Sequence, residues 1–455
     1  MRTTKLFLAA TLLAAPAFAQ DVAMADTQKP ATPATSDSIE KPKAEKKAAA
    51  KVFRRDVKGV RPYDARGINV FEMPKPNNDD FAGPVLDIGA AFSQPFQSIK
   101  HENDAAPRVV AGQDKNKLVT LGTGIPLASA NMYFNAQLTK GVLVSVENYL
   151  ASRGHEQFYV KGGYLQIDES PIDLAPLNKL MSLATLKVGM FENNFGDSHF
   201  RRSDGGQSIY NPFVGNYIVD PFTTEAGAEA YFRKGPFLAM GAVTSGQMRG
   251  QVDSPEKRGW ARYGKLGVDQ QVNPDLRVRL TGSYYKADRS TNQTIYSGDR
   301  PGSRYYEVMV DSVGRDRWSG TLQPGFRSAV RALQINPFVK LGGLEVFGTI
   351  DRGWGRAATE AEERELSQNA ADVVYRFLND QLYVGGRYNT ATMRLAGMTQ
   401  DVGADRTAFA AGWQISPLIL LKAEYVNQKY NDFPTTDRRA GGKFNGFIME
   451  GAVSF

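Results

Sequence analysis

The sequence predicts an all-β protein: a transmembrane antiparallel β-barrel of about 16 strands, with short turns at one end and long loops at the other. Three observations predict this fold. Apolar and polar residues alternate along many short segments. After the first 20 residues, no segment is apolar over the roughly 20 residues that a spanning helix needs. The connections between segments fall into two length classes, as in barrels of this kind.

The first residues, MRTTKLFLAATLLAAPAFAQ, have the pattern of an export signal. Arg2 and Lys5 precede an apolar run, and Ala-Phe-Ala at 17–19 forms a small-x-small cleavage site. A membrane anchor is the competing interpretation, but the apolar run is shorter than the roughly 20 residues of a spanning helix. We therefore expect residues 1–19 to be a cleaved signal peptide and the mature, exported chain to begin at Gln20.

Composition excludes several classes of site. The chain contains no cysteine, so neither disulfide bonds nor cysteine metal sites can form. Its formal net charge is +7, but the basic residues are interleaved with acidic ones. Nucleic-acid-binding proteins usually concentrate positive charge into a patch or stripe, so we expect no nucleic-acid partner.

Two segments separate the signal from the first strand. Residues 20–52 consist largely of Ala, Pro, Lys, Ser and Thr, which are too poor in apolar side chains to form a core. We expect a disordered periplasmic linker there. Residues 53–84 regain apolar side chains without a clear period, so we expect this pre-barrel segment to pack in the lumen or against the periplasmic end.

Residues 85–455 carry the alternation that predicts the barrel. In MYFNAQL, for example, Met132, Phe134 and Leu138 share one face of a strand, and Tyr133 and Asn135 share the other. The predicted strands lie near residues 85–98, 128–139, 142–151, 157–168, 184–192, 223–233, 236–246, 258–271, 276–287, 326–338, 343–352, 369–378, 381–394, 405–415, 418–430 and 443–455. The even number places both ends of the barrel chain on the same side of a membrane.

The connections between these strands alternate in length. Tight turns contain Gly, Asn or Pro, which supply turn geometry; examples are Lys140-Gly141, Gly342-Gly343 and Ser416-Pro417. Long polar loops, such as 100–127, 193–222 and 288–325, fall between them. One connection on the short side, residues 169–182, is long, and we expect a short helical turn within it.

The chain ends on a predicted strand rather than on a polar tail. Phe447, Met449, Val453 and Phe455 share one parity, while Glu450 lies on the other. If this strand closes the barrel, the four apolar residues face lipid and the terminal aromatic lies in the periplasmic girdle.

The segment from Lys187 to Phe232 carries a family resemblance. Its strand KVGMFENNFG, followed by HFRRSDGG, NPFVGNYI and TEAGAEAYF, and the upstream VKGGYLQID, resemble the phosphate-selective porin O and P family. The resemblance implies a 16-stranded bacterial outer-membrane porin, a homotrimer in outer-membrane lipid, that passes small solutes or anions by diffusion. Barrels of this kind resemble one another in their last strand, which implies that Phe447, Met449, Val453 and Phe455 form the signal for the barrel assembly machinery.

The third long loop, residues 193–222, resembles the loop of general porins that folds inward to narrow the channel. Its charged residues are Asp197, His199, Arg201, Arg202 and Asp204. Opposed charges across a narrow gap set a transverse field, and arginines favour anions, so we expect these residues to form the pore constriction. The alternative is an exposed, solvated loop, which its six aromatic residues disfavour.

Several basic residues have the parity of the lumen. They are Lys161, Lys187, Arg277, Arg279, Arg376, Arg387 and Lys422. Glu147, Glu225, Glu229 and Glu424 share that parity, so the sequence lacks the single-sign column of arginines that phosphate-selective members use. We carry over no phosphate site and expect only a mild preference for anions.

Catalytic motifs are missing from the sequence. There is no HExxH metal motif and no GxSxG nucleophile motif. His199, Ser203 and Asp204 are close in sequence, but the members of a catalytic triad must converge in space. We expect no enzyme activity, no catalytic residue, no metal and no cofactor.

The sequence leaves two alternatives to a passive porin. In the first, the pre-barrel segment plugs the lumen of a gated receptor or uptake protein, although plugged barrels usually have about 22 strands. In the second, the barrel is structural and the lysine-rich linker ties it to the cell wall.

Overall fold

The computed structural model describes residues 57–150, 158–248, 254–297, 306–311 and 320–455. The predicted signal peptide and periplasmic linker lie outside the described residues. Residues 57–84 precede the first strand and contain only a short 3-10 helix, Ala65–Gly67.

Sixteen long strands of the described residues form one closed antiparallel barrel, which confirms the predicted fold. In chain order the strands are β1 (Val85–Glu102), β2 (Val109–Val110), β3 (Gln113–Asp114), β4 (Ser129–Thr139), β5 (Val142–Leu150), β6 (Phe158–Ile167), β7 (Ala184–Glu192), β8 (Thr224–Lys234), β9 (Phe237–Thr244), β10 (Ala261–Gln271), β11 (Leu276–Ala287), β12 (Ala329–Leu341), β13 (Leu344–Arg356), β14 (Arg364–Phe377), β15 (Leu382–Met393), β16 (Val402–Ser416), β17 (Ile419–Asn431) and β18 (Lys443–Ser454). Of the eighteen strands in the described ranges, only β2 and β3 lie outside the barrel, where they pair with each other in the loop after β1.

Closure occurs between the first and last strands. β1 pairs with β18 from Ala91↔Ser454 to Glu102↔Lys443, and on its other edge β1 pairs with β4. Phe455 extends the pairing, because its amide donates to the carbonyl of Ala90 at 2.9 Å. The barrel therefore has no free edge strand.

Short turns join the strands at one end of the barrel. The longest connection at this end, between β6 and β7, contains the helix α1 (Ala175–Met181). Two further 3-10 helices, Ser198–Arg201 and Pro255–Lys257, lie in loops at the opposite end. No described helix is both long enough and apolar enough to cross a membrane.

The strands alternate between an exposed outer face and a buried lumen face. Along β11, Val278, Leu280 and Tyr284 are exposed, whereas Arg279 and Thr281 are buried. The same alternation on β18 exposes Phe447, Met449, Val453 and Phe455. The outer surface is apolar, and the tightly packed core lies inside the barrel.

Several strands extend beyond their predicted ends, mostly at the long-loop end. β1 continues to Glu102 rather than 98, and β14 begins at Arg364 rather than 369. Beyond the apolar band both faces of a strand are polar, so the sequence alternation fades there. The ladder nevertheless continues, as the pair Gly355↔Arg364 shows.

The apolar outer face leads to a stability prediction. Leu280 is 54% exposed near the middle of β11, so Leu280→Arg would place a charge in hydrocarbon. We expect the free energy of unfolding in lipid vesicles to fall by about 2–4 kcal/mol.

The matched control is Gln270→Arg, on the outer face of the neighbouring strand close to the short turns. Near a membrane interface the same charge costs only about 0–1 kcal/mol. Equal losses for the two variants in a denaturant titration would contradict the membrane-spanning orientation of these strands.

Candidate functional site

The loop between β7 and β8, residues 193–223, folds into the barrel, and we call it the inward loop. Its residues are buried, apart from the half-buried His199 and Phe200. Gly196 and Gly205 turn its backbone with positive φ angles of 69° and 64°. A Cβ atom at Gly196 would lie 1.8 Å from the side-chain oxygen of Gln334 on the barrel wall, so the loop approaches the wall too closely for a side chain.

Asp197 anchors the inward loop to β10 and β11. The Arg279 guanidinium donates to both carboxylate oxygens, at 2.8 and 2.9 Å, and Thr281 donates at 2.7 Å. The Lys265 ammonium lies 3.0 Å from the same carboxylate. Burial opposes ionisation of Asp197, but Lys265 and Arg279 outweigh it and lower its pKa. Asp197 is therefore a charged anchor with every oxygen engaged.

Asp204 forms a second anchor, on β5 and β6. It accepts hydrogen bonds from Lys161 at 2.5 Å and from Tyr149 at 2.7 Å. Arg202 donates to Asp204 at 2.7 Å and also pairs with Asp220 of the same loop at 2.6 Å. Asp204 thus attaches the inward loop to the barrel wall, and Arg202 links two parts of the loop by pairing with both Asp204 and Asp220.

Arg201 extends in another direction, toward β13. Its guanidinium lies 3.3 Å from Glu345, which also accepts from Arg376 at 2.7 Å. Arg201 donates a further hydrogen bond to Asn69 of the segment before β1. Arg201 and Arg202 are both buried and paired, so neither is a freely exposed cation of a pore constriction.

His199 lies at the lumen edge of the inward loop. Its Nδ1 is 2.5 Å from Glu192 and its Nε2 is 3.0 Å from Asn194. Burial lowers the pKa of His199, although Glu192 opposes the shift. We therefore expect a largely neutral imidazole at neutral pH, which adds no full charge to the field of the lumen.

Lumen cations on β15 and β17 bind the backbone of the inward loop. Arg387 pairs with Asp372 through two hydrogen bonds of 2.7 and 2.8 Å and donates to the carbonyl of Gly215 at 2.9 Å. Lys422 lies 3.1 Å from Glu450 and donates to three loop carbonyls at 2.8–3.0 Å. Those carbonyls belong to Ser208, Asn211 and Phe213.

Two other predicted lumen cations pair with neighbouring strands. Arg277 forms two hydrogen bonds with Asp269, at 2.8 and 2.7 Å. Lys187 lies 3.4 Å from Glu229 and 4.7 Å from the ring centroid of Tyr164. Each cation that the sequence assigned to the lumen therefore lies inside the barrel and has a carboxylate partner.

Residues 57–84, which we call the N-terminal segment, cross the short-turn end of the lumen. Tyr63 stacks on Tyr133 of β4, with ring centroids 3.8 Å apart and an interplanar angle of 9°. The amide of Ala65 donates to the carbonyl of Pro417, in the turn between β16 and β17, at 2.9 Å. On the side of the barrel opposite β4, Arg277 of β11 donates to the carbonyl of Asn69 at 2.9 Å. The segment is thus held by both sides of the opening.

Glu72 joins the N-terminal segment to the same cations that hold the inward loop. Its carboxylate lies 3.0 Å from Lys265 and 2.6 Å from Arg279. Burial raises the pKa of Glu72, but these two cations outweigh it and hold the pKa well below its usual value. Two carboxylates, Glu72 and Asp197, therefore share two cations in one buried cluster.

Arg61 joins the N-terminal segment directly to the inward loop. Its guanidinium carbon lies 3.6 Å from the ring centroid of Tyr210, and it donates to the carbonyl of Phe200 at 3.0 Å. Arg61 has no carboxylate partner among the described residues, and burial lowers its pKa.

Loops from the other end of the barrel cover the inward loop. The amide of Phe222 donates to the carbonyl of Ile295, and that of Leu322 to the carbonyl of Ile218, both at 2.9 Å. Tyr306 donates to Glu424 on the wall. The lumen therefore holds three layers: the N-terminal segment, the inward loop and these outer loops.

A cavity of about 260 Å³ remains between the N-terminal segment, the inward loop and the wall formed by β4 to β8. Its charged lining residues are Arg61, Glu72, Glu147, Lys161, Asp168, Lys187, Glu192, Arg202, Asp204 and Arg233. The lining has five cations and five carboxylates, so its formal charge is balanced. Among the described residues, Arg61 and Arg233 are the two lining cations that no carboxylate contacts directly.

Sequence reasoning missed part of this site. Glu72 and Arg61 lie in a segment without a period, so no pattern pointed to them. Lys265 has the same inward parity as Tyr263 on β10, a signal that could have found it. Its two carboxylate partners come from distant parts of the chain, and no local pattern carries that information.

Among known proteins, only solved structures are similar to this chain. No family model matches the chain, and no curated protein matches it. OmpT of Vibrio cholerae matches with a TM-score of 0.48 and 9% identity, over 84% of this chain and 100% of that one. An anion-selective porin from Comamonas acidovorans (TM-score 0.48, 10% identity, 82% and 100% covered) and OprB of Pseudomonas putida (0.48, 10%, 82% and 94%) are similar to the same extent. At such identities the likeness concerns the fold alone.

The Asp197 anchor supports a second stability prediction. Asp197→Asn keeps the shape of the side chain but leaves Arg279 and Lys265 buried with one carboxylate fewer. We expect the free energy of unfolding to fall by about 3–5 kcal/mol, the usual cost of breaking a buried ion pair.

Asp401→Asn is the matched control, because Asp401 pairs with Arg394 at 3.0 Å where both side chains are about half exposed. Exposed pairs contribute only about 0–1 kcal/mol. If both variants unfolded at the same denaturant concentration as the parent, the anchoring role of Asp197 would be wrong.

Proposed function

We propose that the protein is a bacterial outer-membrane porin, a narrow water-filled channel through which small solutes diffuse passively. The observation that carries this proposal is the closed barrel with an apolar outer face and a charged lumen, in which the packed layers leave a cavity of about 260 Å³. Strands can cross a bilayer only when no edge is open. The charged lumen favours water and polar solutes over lipid.

The inward loop and the N-terminal segment together would set the size limit of this channel. Both are tied to the wall by buried ion pairs, such as Asp197 with Arg279 and Glu72 with Lys265. Breaking a buried pair is costly, so these elements form a fixed constriction rather than a mobile one. Such a constriction admits solutes by size and charge, with no chemical step.

We propose a mild preference for anions rather than a phosphate-selective channel. Arg61 and Arg233 line the cavity without an ion pair among the described residues, so no carboxylate contacts these two guanidinium groups directly. The resemblance to the phosphate-selective porin O and P family supports passage of anions. Lys161 and Arg387, however, are bound to Asp204 and Asp372, so they do not form a free column of cations.

The partners and the location follow from the same proposal. The chain would be exported, cleaved after residue 19 and placed in outer-membrane lipid as a homotrimer. Phe447, Met449, Val453 and Phe455 lie on the exposed face of the closing strand, where the barrel assembly machinery could bind them before insertion.

A gated or plugged uptake protein is the second candidate function. The N-terminal segment favours it, because Tyr63, Ala65 and Glu72 attach that segment across the short-turn end of the lumen. In that case the segment would have to leave before solutes pass.

Conductance in planar bilayers tests both candidates. We expect the full-length protein to give steady steps, and a variant lacking residues 57–84 to give steps larger by about twofold or more because its constriction is wider. A variant lacking residues 23–50 is a control of equal length and should match the parent. If only the variant lacking residues 57–84 gave conductance steps and the full-length protein gave none, passive diffusion would be contradicted and the gated candidate favoured.

Ion selectivity tests the role of the two unpaired cations. The double variant Arg61→Gln/Arg233→Gln should lower the permeability of anions relative to cations, because it leaves five carboxylates and only three cations in the lining of the cavity. Arg66→Gln is the control, since Arg66 belongs to the same segment but is half exposed and paired with Asp64. An unchanged reversal potential of the double variant in a salt gradient would rule out this source of selectivity.

A further inference from the structure

Three basic residues form a row on the outer face of the barrel, and we call them the outward cation row. Arg262 on β10 lies directly opposite Lys286 on β11, which lies directly opposite Arg331 on β12. All three side chains are exposed. Like charges directly opposite each other in a sheet are destabilising, so folding alone gives no reason for this arrangement.

The row lies where the apolar outer surface ends, at the long-loop end. Two residues further toward the short turns, Tyr284 and Leu333 occupy the same face as a directly opposed pair. At the other side of the row, Trp260 is 66% exposed. Aromatic residues form girdles at the boundary between hydrocarbon and lipid headgroups. The row is therefore at headgroup depth in the leaflet at the long-loop end.

Carboxylates compensate this row only in part. Lys286 lies 3.0 Å from Asp288, and Arg331 pairs with Glu363, but both pairs are largely exposed. Arg262 has no ion pair among the described residues. Exposed pairs contribute little, so the row retains positive potential.

A second group of outward cations, on the opposite side of the barrel, shows the contrast. Lys443 on β18 is directly opposite Glu102, and Lys429 on β17 is directly opposite Asp405. Lys429 and Lys443 are directly opposite each other, and an acidic residue flanks each side of this pair. The group also includes Lys100 on β1. The residues that flank the outward cation row are instead uncharged: Val243 lies directly opposite Arg262, and Trp354 lies directly opposite Arg331.

We propose that the outward cation row binds the phosphate groups of a phosphorylated membrane lipid of the lipid A type. Lysine and arginine form short, charge-assisted hydrogen bonds with phosphate oxygens. The acyl chains of such a lipid would lie along the apolar surface below the row. The proposal rests on the proposed location in an outer membrane, and it assigns this site to the lipid around the barrel rather than to a solute inside it.

Binding of fluorescent lipid A to the full-length protein in detergent micelles tests the proposal. The triple variant Arg262→Ser/Lys286→Ser/Arg331→Ser should bind about tenfold more weakly or worse, since charge-assisted hydrogen bonds to phosphate are lost. The control, Lys100→Ser/Lys429→Ser/Lys443→Ser, removes the same charge from the opposite side and should bind as the parent does. Equal affinity of the two triple variants would overturn the proposal.

Two further measurements keep the result interpretable. Dephosphorylated lipid A should bind the parent protein about tenfold more weakly. Inorganic phosphate at the same concentration as lipid A should not displace it, because inorganic phosphate lacks the acyl chains. Displacement by inorganic phosphate, or equal binding of the dephosphorylated lipid, would contradict the lipid site even if the triple variant failed to fold. Bilayer conductance of each preparation tests the channel separately, so loss of lipid binding with normal steps concerns this site alone.

Discussion

Closure of the sheet is the constraint on which the rest of the structure depends. The pairing of β1 with β18, from Ala91↔Ser454 to Glu102↔Lys443, removes the last free edge. Every strand must then present one set of alternate residues to the outside and the other to a shared interior. The exterior can be apolar because the backbone groups are satisfied within the sheet. All the polar side chains of the inner parity are consequently gathered into one confined space.

Confinement explains why the inward loop has a defined position. Charged side chains that are buried in the packed part of the lumen are stable only when they are paired and hydrogen-bonded. Asp197 supplies a carboxylate to Arg279, and the loop carbonyls near Lys422 satisfy an ammonium on the opposite wall. The wall and the loop thus complete each other's hydrogen bonds. The N-terminal segment does the same through Glu72, so the contents of the barrel belong to its core.

Much of the fold is predictable from sequence because parity is a local property. The alternation in MYFNAQL alone shows that Tyr133 faces inward and Met132 outward, and repetition of such segments gave the correct number of strands. The site is less predictable because its pairs join distant residues. Arg201 was expected as a constriction charge, but its partner Glu345 lies on β13, far along the chain. Parity therefore predicts on which face of the barrel a charged side chain lies. Whether that side chain is exposed or paired depends on long-range contacts.

The same argument separates two kinds of cation that look alike in the sequence. Arg279 and Arg331 both lie on strands with period-2 alternation, but they have opposite parity. The inward one is buried and shared between Glu72 and Asp197, so it holds the structure together and contributes little net field. The outward one lies beside another cation and at the edge of the apolar surface. The barrel supplies few carboxylates near Arg331, so the surrounding membrane has to supply the counter-charges. Parity together with strand register identifies cations of this second kind.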